Sequence, residues 1–98
     1  MIKPKSILFS ERAENDYNLI LDYLFENWSK REVEKFEKAI KAAIKIISTH
    51  PLAFPASRKK TRRFVLDDHT VIHYRVKKNF IEVATLWPGK RNPKRLKL

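Results

Sequence analysis

Two β-rich runs constrain this chain more than any other feature: Thr70-Val71-Ile72-His73-Tyr74-Arg75-Val76 and Phe80-Ile81-Glu82-Val83-Ala84-Thr85-Leu86-Trp87, separated by Lys77-Lys78-Asn79. β-branched and aromatic residues on both sides of a short polar gap predict a hairpin. A two-residue loop at Lys78-Asn79 would pair residues whose numbers sum to 157, setting Ile72, Tyr74 and Val76 opposite Thr85, Val83 and Ile81. One face is then almost wholly apolar. The other carries Val71 with Leu86, His73 with Ala84, and Arg75 with Glu82, an opposite-charge pair of the kind that fixes register. A sheet with one apolar face needs a cover, and the half-polar face left open is the place to look for function.

The cover comes from the first half of the chain. Lys5-Ser6-Ile7-Leu8-Phe9-Ser10 reads as a short strand ending in a serine able to cap a helix, with Glu11 and Glu14 in the first turn, the favourable sign there. Ala13, Tyr17, Ile20, Leu21, Leu24 and Trp28 recur at helical spacing and form one stripe, read as core rather than as a cofactor site. Ser29-Lys30-Arg31-Glu32 has the pattern of a capping box and starts a second helix. Its stripe is Val33, Phe36, Ile40, Ala43, Ile44 and Ile47, with Lys35, Lys38, Lys41 and Lys45 on the wet side. A connection of about two residues makes the helices an antiparallel αα-hairpin. His50-Pro51 closes the second helix, Arg62-Arg63-Phe64-Val65-Leu66 reads as a strand, and Asp67-Asp68-His69 as a turn. The expected fold is α+β, in the order β-α-α-β-β-β, an antiparallel sheet covered on one face by the helical hairpin. Residues 1–98 form a single domain with a basic C-terminal segment, 88–98.

Composition removes several function classes. There is no cysteine, hence no disulfide framework, thiolate metal site or cysteine nucleophile. One glycine cannot build a phosphate-cradling loop. His50, His69 and His73 lack metal-ligand spacing, so neither metal nor cofactor is expected. The N-terminus lacks the apolar core of a signal peptide and no stretch reaches membrane-spanning length, so a cytoplasmic protein without a membrane partner is expected.

The net charge of +11 is unevenly spread. Residues 1–55 hold nine Lys/Arg against eight Asp/Glu, whereas residues 56–98 hold thirteen against three. The half of the chain expected to build the sheet therefore carries the charge, which points to a polyanionic or acidic partner. The candidate binding residues are Arg58, Lys59, Lys60, Arg62, Arg63, Lys90, Arg91, Lys94 and Arg95, with Arg75 and Trp87 nearby. Arginine holds phosphates by paired contacts and stabilises phosphoryl-transfer charge. Arg91, His73 and Arg63 are therefore candidates for metal-free RNA cleavage, with His73 as general base or acid; the alternative is that His73 is structural and Arg75 is spent on Glu82.

A strand ending in Phe9-Ser10, a helical hairpin with Trp28-Ser29, the loop Pro51-Leu52-Ala53-Phe54-Pro55, the strand Thr70 to Val76, and Leu86-Trp87 followed by Arg91-Asn92-Pro93 together resemble the RelE/ParE superfamily of toxins from type II toxin-antitoxin (plasmid stabilisation) systems. The resemblance spans nearly the whole chain. It implies growth arrest, a cognate antitoxin, and one of two targets: RelE-like members cleave messenger RNA in the ribosomal A site, and ParE-like members inhibit DNA gyrase. RelE-like enzymes carry an arginine at the start of the central strand, another after the last strand, and a tyrosine near the C-terminus. Here Gly89-Lys90-Arg91 resembles the second, Thr70 stands where the first is expected, and residues 88–98 contain no tyrosine. The resemblance is thus more ParE-like, a non-enzymatic inhibitor. A RelE-like ribosome-dependent endoribonuclease and a non-toxic basic module binding RNA or protein are the alternatives, the last separable by whether induced expression arrests growth.

Overall fold

Ser10 decides where the first strand ends and the first helix begins. Its backbone is extended, with φ −67° and ψ 164°, and its Oγ accepts from the Ala13 amide at 3.0 Å, satisfying an N–H that the helix itself cannot. The computed structural model describes residues 5–56, 60–67 and 70–86, and within them the order is β1 (Ser6–Phe9), α1 (Glu11–Asn27), α2 (Lys30–Thr49), β2 (Arg62–Val65), β3 (Val71–Val76) and β4 (Phe80–Thr85). Ser29 repeats the device for α2, its Oγ accepting from the Glu32 amide at 3.3 Å while the Glu32 carboxylate lies 3.8 Å from Lys35 Nζ. His50 ends α2, its amide donating to the Ile46 carbonyl at 2.9 Å.

The four strands lie in the order β1-β4-β3-β2. β3 is interior, antiparallel to both neighbours, as the paired runs predict. The sheet is mixed rather than wholly antiparallel, because β1 runs parallel to β4, Ile7 beside Ile81 and Phe9 beside Val83. That direction lets β1 run straight into α1 at the end of β4, where the Ser10 amide donates to the Val83 carbonyl at 2.9 Å.

Both helices lay their stripes on one face. Ala13 and Ile20 of α1 and Phe36, Ile40, Ala43 and Ile47 of α2 are buried with Ile72, Tyr74, Ile81, Val83 and Leu86 of the sheet. Tyr17 joins the layers, its ring edge-on to Phe9 at 6.4 Å and 5.9 Å from Phe36. The expected α1 stripe holds except at its end: the helix stops at Asn27, and Trp28, its C-cap, is 66% exposed. The core is closed at one corner by a hydrogen bond and a ring pair. Tyr74, fully buried, donates its hydroxyl to the Pro51 carbonyl at 2.6 Å, and Phe54 meets Phe64 edge-on at 4.9 Å. Burial raises the Tyr74 pKa above its ordinary value, and Arg62 partly opposes it.

The hairpin register departs from simple alternation at one point. Tyr74, Arg75 and Val76 pair with Val83, Glu82 and Ile81, but His73 pairs with Thr85, not Ala84. The extra residue is a β-bulge at Ala84. Two corrections follow for the faces. Leu86, expected opposite Val71 on the open side, is fully buried in the core, and Thr85, expected opposite Ile72 on the apolar side, takes the place beside His73. The bulge has a partner from outside the hairpin: Ser10 Oγ donates to the Ala84 carbonyl at 2.8 Å. Further along α1, the Asp16 carboxylate accepts from the Leu86 amide at 3.4 Å.

Candidate partner-binding face

Directly opposed strand residues share a face. The register therefore assembles the open side row by row. Toward the hairpin loop, Leu8, Glu82 and Arg75 lie side by side across β1, β4 and β3. The next row is Thr85, His73 and Arg63 across β4, β3 and β2, and beyond it Val71 lies beside Val65. With strands about 4.8 Å apart, each three-strand row spans about 10 Å.

The first row is electrically closed. Arg75 Nη1 donates to Glu82 Oε1 at 3.2 Å, and both side chains are about one-third exposed, 34% and 29%. A pair this accessible contributes about 0.2–1 kcal/mol, enough to fix register. The second row is cationic. Arg63 is exposed, and its guanidinium meets no carboxylate among the described residues. His73 is half-buried; burial and, secondarily, the Arg63 charge hold its pKa below the ordinary imidazole value. A neutral imidazole can accept a proton or a hydrogen bond beside a fixed cation. The third row is aliphatic, with Val65 63% exposed over a buried Val71.

The basic residues foreseen for one surface thus separate. Arg62 pairs with Tyr74, so its side chain leaves from the helix side, and its Nη1 donates to the Phe54 carbonyl at 2.8 Å. It holds the loop after α2 and does not share the open face with Arg63: neighbouring residues of a strand point to opposite sides. Lys60 is exposed, in the left-handed region at φ 62°. Arg58, Lys59, Trp87, Lys90, Arg91, Lys94 and Arg95 lie outside the described residues. Thr85 is the member of the cationic row that alternation missed. The available signal was parity: Val83 and Leu86 are both apolar three residues apart, which no unbroken strand places on one face.

Residues 7–93 match the family described as the ParE toxin of the type II toxin-antitoxin system, parDE. The chain belongs to the ParE toxin family. It is accordingly a toxin of a type II toxin-antitoxin system within the RelE/ParE superfamily. Solved structures share the fold, two of them from toxin-antitoxin systems. A chain of the chromosomal ParDE system from P. aeruginosa superposes with a TM-score of 0.75 at 17% identity, over 88% of this chain and 97% of that one. A chain of the E. coli DinJ-YafQ toxin-antitoxin complex does so with a TM-score of 0.58 at 12% identity, over 88% of this chain and 93% of that one. No curated protein matches the sequence. Among the described residues of the toxin, no helix is long and apolar enough to cross a membrane.

Thr70, at the position where the resemblance would have a RelE-like arginine, is 4% exposed. Its amide donates to Asp67 Oδ1 at 2.8 Å and its carbonyl accepts from the Leu66 amide at 2.9 Å, closing the β2–β3 turn. In this toxin the position serves the turn.

Proposed function

We propose that this toxin arrests growth by binding a protein target such as DNA gyrase, and that a cognate antitoxin neutralises it. Membership of the ParE family over residues 7–93 carries the reading. The buried Thr70 and the lack of tyrosine in residues 88–98 favour it over RNA cleavage, since a metal-free ribonuclease needs several groups that move protons and stabilise charge together. In this reading Arg58, Lys59, Lys60 and Arg63 and the tail residues Lys90, Arg91, Lys94 and Arg95 contact an anionic or acidic surface. The antitoxin orders as it binds across an apolar groove bordered by these cations, in a cytoplasmic pairing that can stabilise a plasmid.

The ribosome-dependent reading keeps one observation in its favour, the neutral His73 imidazole beside Arg63. The deciding experiment pairs a supercoiling assay on purified gyrase with a map of messenger RNA ends from arrested cells. Inhibited supercoiling with no codon-linked cuts is expected. Arg91→Ala should weaken inhibition by roughly tenfold, about 1.4 kcal/mol. Codon-linked cleavage that disappears in Arg91→Ala would make the protein a ribonuclease.

A further inference from the structure

We propose that Arg63, His73 and Thr85 form a site for one carboxylate of an acidic, aliphatic peptide segment lying across the open face of the sheet. The proposal rests on reading that face as the partner-binding side, and it specifies which chemistry the face accepts.

The bulge makes the site. Without it Ala84 would stand beside His73, and the row would end in a methyl group; with it a hydroxyl donor takes that place. Three groups able to donate then line one row: the Arg63 guanidinium, an imidazole N–H and the Thr85 hydroxyl. Nothing acidic among the described residues competes for them. Glu82 faces His73 from β4 one row away, but it is engaged by Arg75 at 3.2 Å, leaving Arg63 as the uncompensated charge. An oxyanion here would form charge-assisted bonds, about twice as strong as neutral ones.

The flanks select a carboxylate on a peptide rather than a nucleic acid. A nucleic-acid strand repeats its negative charge every few ångströms and needs a row of cations. On one side of this row the next pair is already neutral, Arg75 with Glu82; on the other it is Val65 with Val71. One charge is matched and a run of charges is not. Base stacking also wants an aromatic platform. Phe80, which shares this face by parity with Glu82, lies beyond the Arg75–Glu82 row at the hairpin end. What adjoins the cation on β2 is aliphatic, Val65, 63% exposed; Leu8, 55% exposed, lies three strands away on β1, at the end of the Arg75–Glu82 row. A segment that places one Asp or Glu between Leu- or Val-like residues fits all three rows.

The test uses the whole purified chain and needs neither gyrase nor growth. The His73 ring is followed by NMR while capped Leu-Glu-Leu, capped Leu-Gln-Leu, inorganic phosphate and a short oligonucleotide are titrated separately. The Glu peptide should shift the ring signals and raise the His73 pKa, because an anion beside the ring offsets Arg63. The Gln peptide should bind at least about tenfold more weakly, as should the Glu peptide to Arg63→Gln, the loss expected when one charge-assisted bond is removed. Thr85→Val should weaken the Glu peptide by a smaller factor. Equal binding of the two peptides, or a His73 ring that none of the additions moves, overturns the proposal. Tighter binding of the oligonucleotide than of the Glu peptide also overturns it and gives the face to nucleic acid. A failed gyrase assay beside a positive titration sinks the target reading alone, and the reverse result sinks only this site.

Discussion

The two ends of the β3–β4 hairpin are built by different rules. Near the loop, Tyr74, Arg75 and Val76 face Val83, Glu82 and Ile81 in strict alternation, the Arg75–Glu82 pair locks the row, and Lys5 Nζ donates to the carbonyls of Lys77 and Lys78 at 3.3 and 3.4 Å. At the far end alternation fails within one residue. The forces there come from α1: Ser10 takes the Ala84 carbonyl and Asp16 takes the Leu86 amide. The register of the loop end follows cross-strand pairs close in sequence, with Lys5 added across 72 and 73 positions; at the open end the contacts across 74 and 70 positions accompany a break in that register. The open end places a cation without a carboxylate partner beside an imidazole and a hydroxyl, so the segment that sequence pairing reads least well is the one with the chemistry.

Leu86→Ala gives the largest test of this contrast. If the bulge is present, a fully buried leucine is truncated and unfolding free energy falls by about 2–5 kcal/mol. Thr85→Ala, beside His73 on the open face, should change stability by no more than about 1 kcal/mol. Urea melts of the two variants check both. Under unbroken alternation Leu86 would be an open-face residue, so a small loss for Leu86→Ala would remove the bulge from the fold.

Ser10→Ala comes next. The hydroxyl caps α1 at the Ala13 amide and binds the bulge at the Ala84 carbonyl, so a loss of about 1–2 kcal/mol is expected, the upper range for a helix cap. Ser29→Ala removes a cap of the same kind without the second bond and should cost less. Equal losses in the two melts would mean that the link from α1 to the bulge contributes nothing.

Most of the architecture was legible because it rests on local rules. Ser10 and Ser29 announce their helices by type and position, the stripes Phe36-Ile40-Ala43-Ile47 and Ala13-Ile20 announce their buried faces, and Arg75-Glu82 announces the register of the loop end. Four features were not legible, each for a stated cause. The parallel placement of β1 depends on where α1 must start relative to β4. Arg62 leaves the open face by strand alternation, but the partner that holds it, the Phe54 carbonyl, is a loop atom that no strand pattern specifies. Thr85 changes sides because a helix cap holds the neighbouring carbonyl. Spacing alone puts Trp28 in the core, because it cannot say that the helix ends at Asn27 and leaves the next residue as an exposed cap. Of the candidate site, Arg63 and His73 were visible as residue types, but their partner in the row was not.

The smallest effect concerns His73 itself. Its folded pKa lies below the ordinary 6.5, first through burial and then through Arg63; Arg75 lies beside it on β3, and Glu82, from β4, is engaged by Arg75. As pH falls through 6.5 the unfolded chain takes up the proton first, so the unfolded state is favoured. The neutral ring's contribution to stability is therefore full above 6.5 and is lost as pH falls toward the lower folded value. Urea midpoints measured from about pH 7.5 to about pH 5.5 should decline on the acid side, and His73→Gln should flatten that part of the curve. Arg63→Gln removes one of the two causes and should flatten it in part while leaving the burial contribution. If His73→Gln follows the parent across the whole window, the ring titrates as it does in the unfolded chain, and the cationic row does not hold His73 neutral.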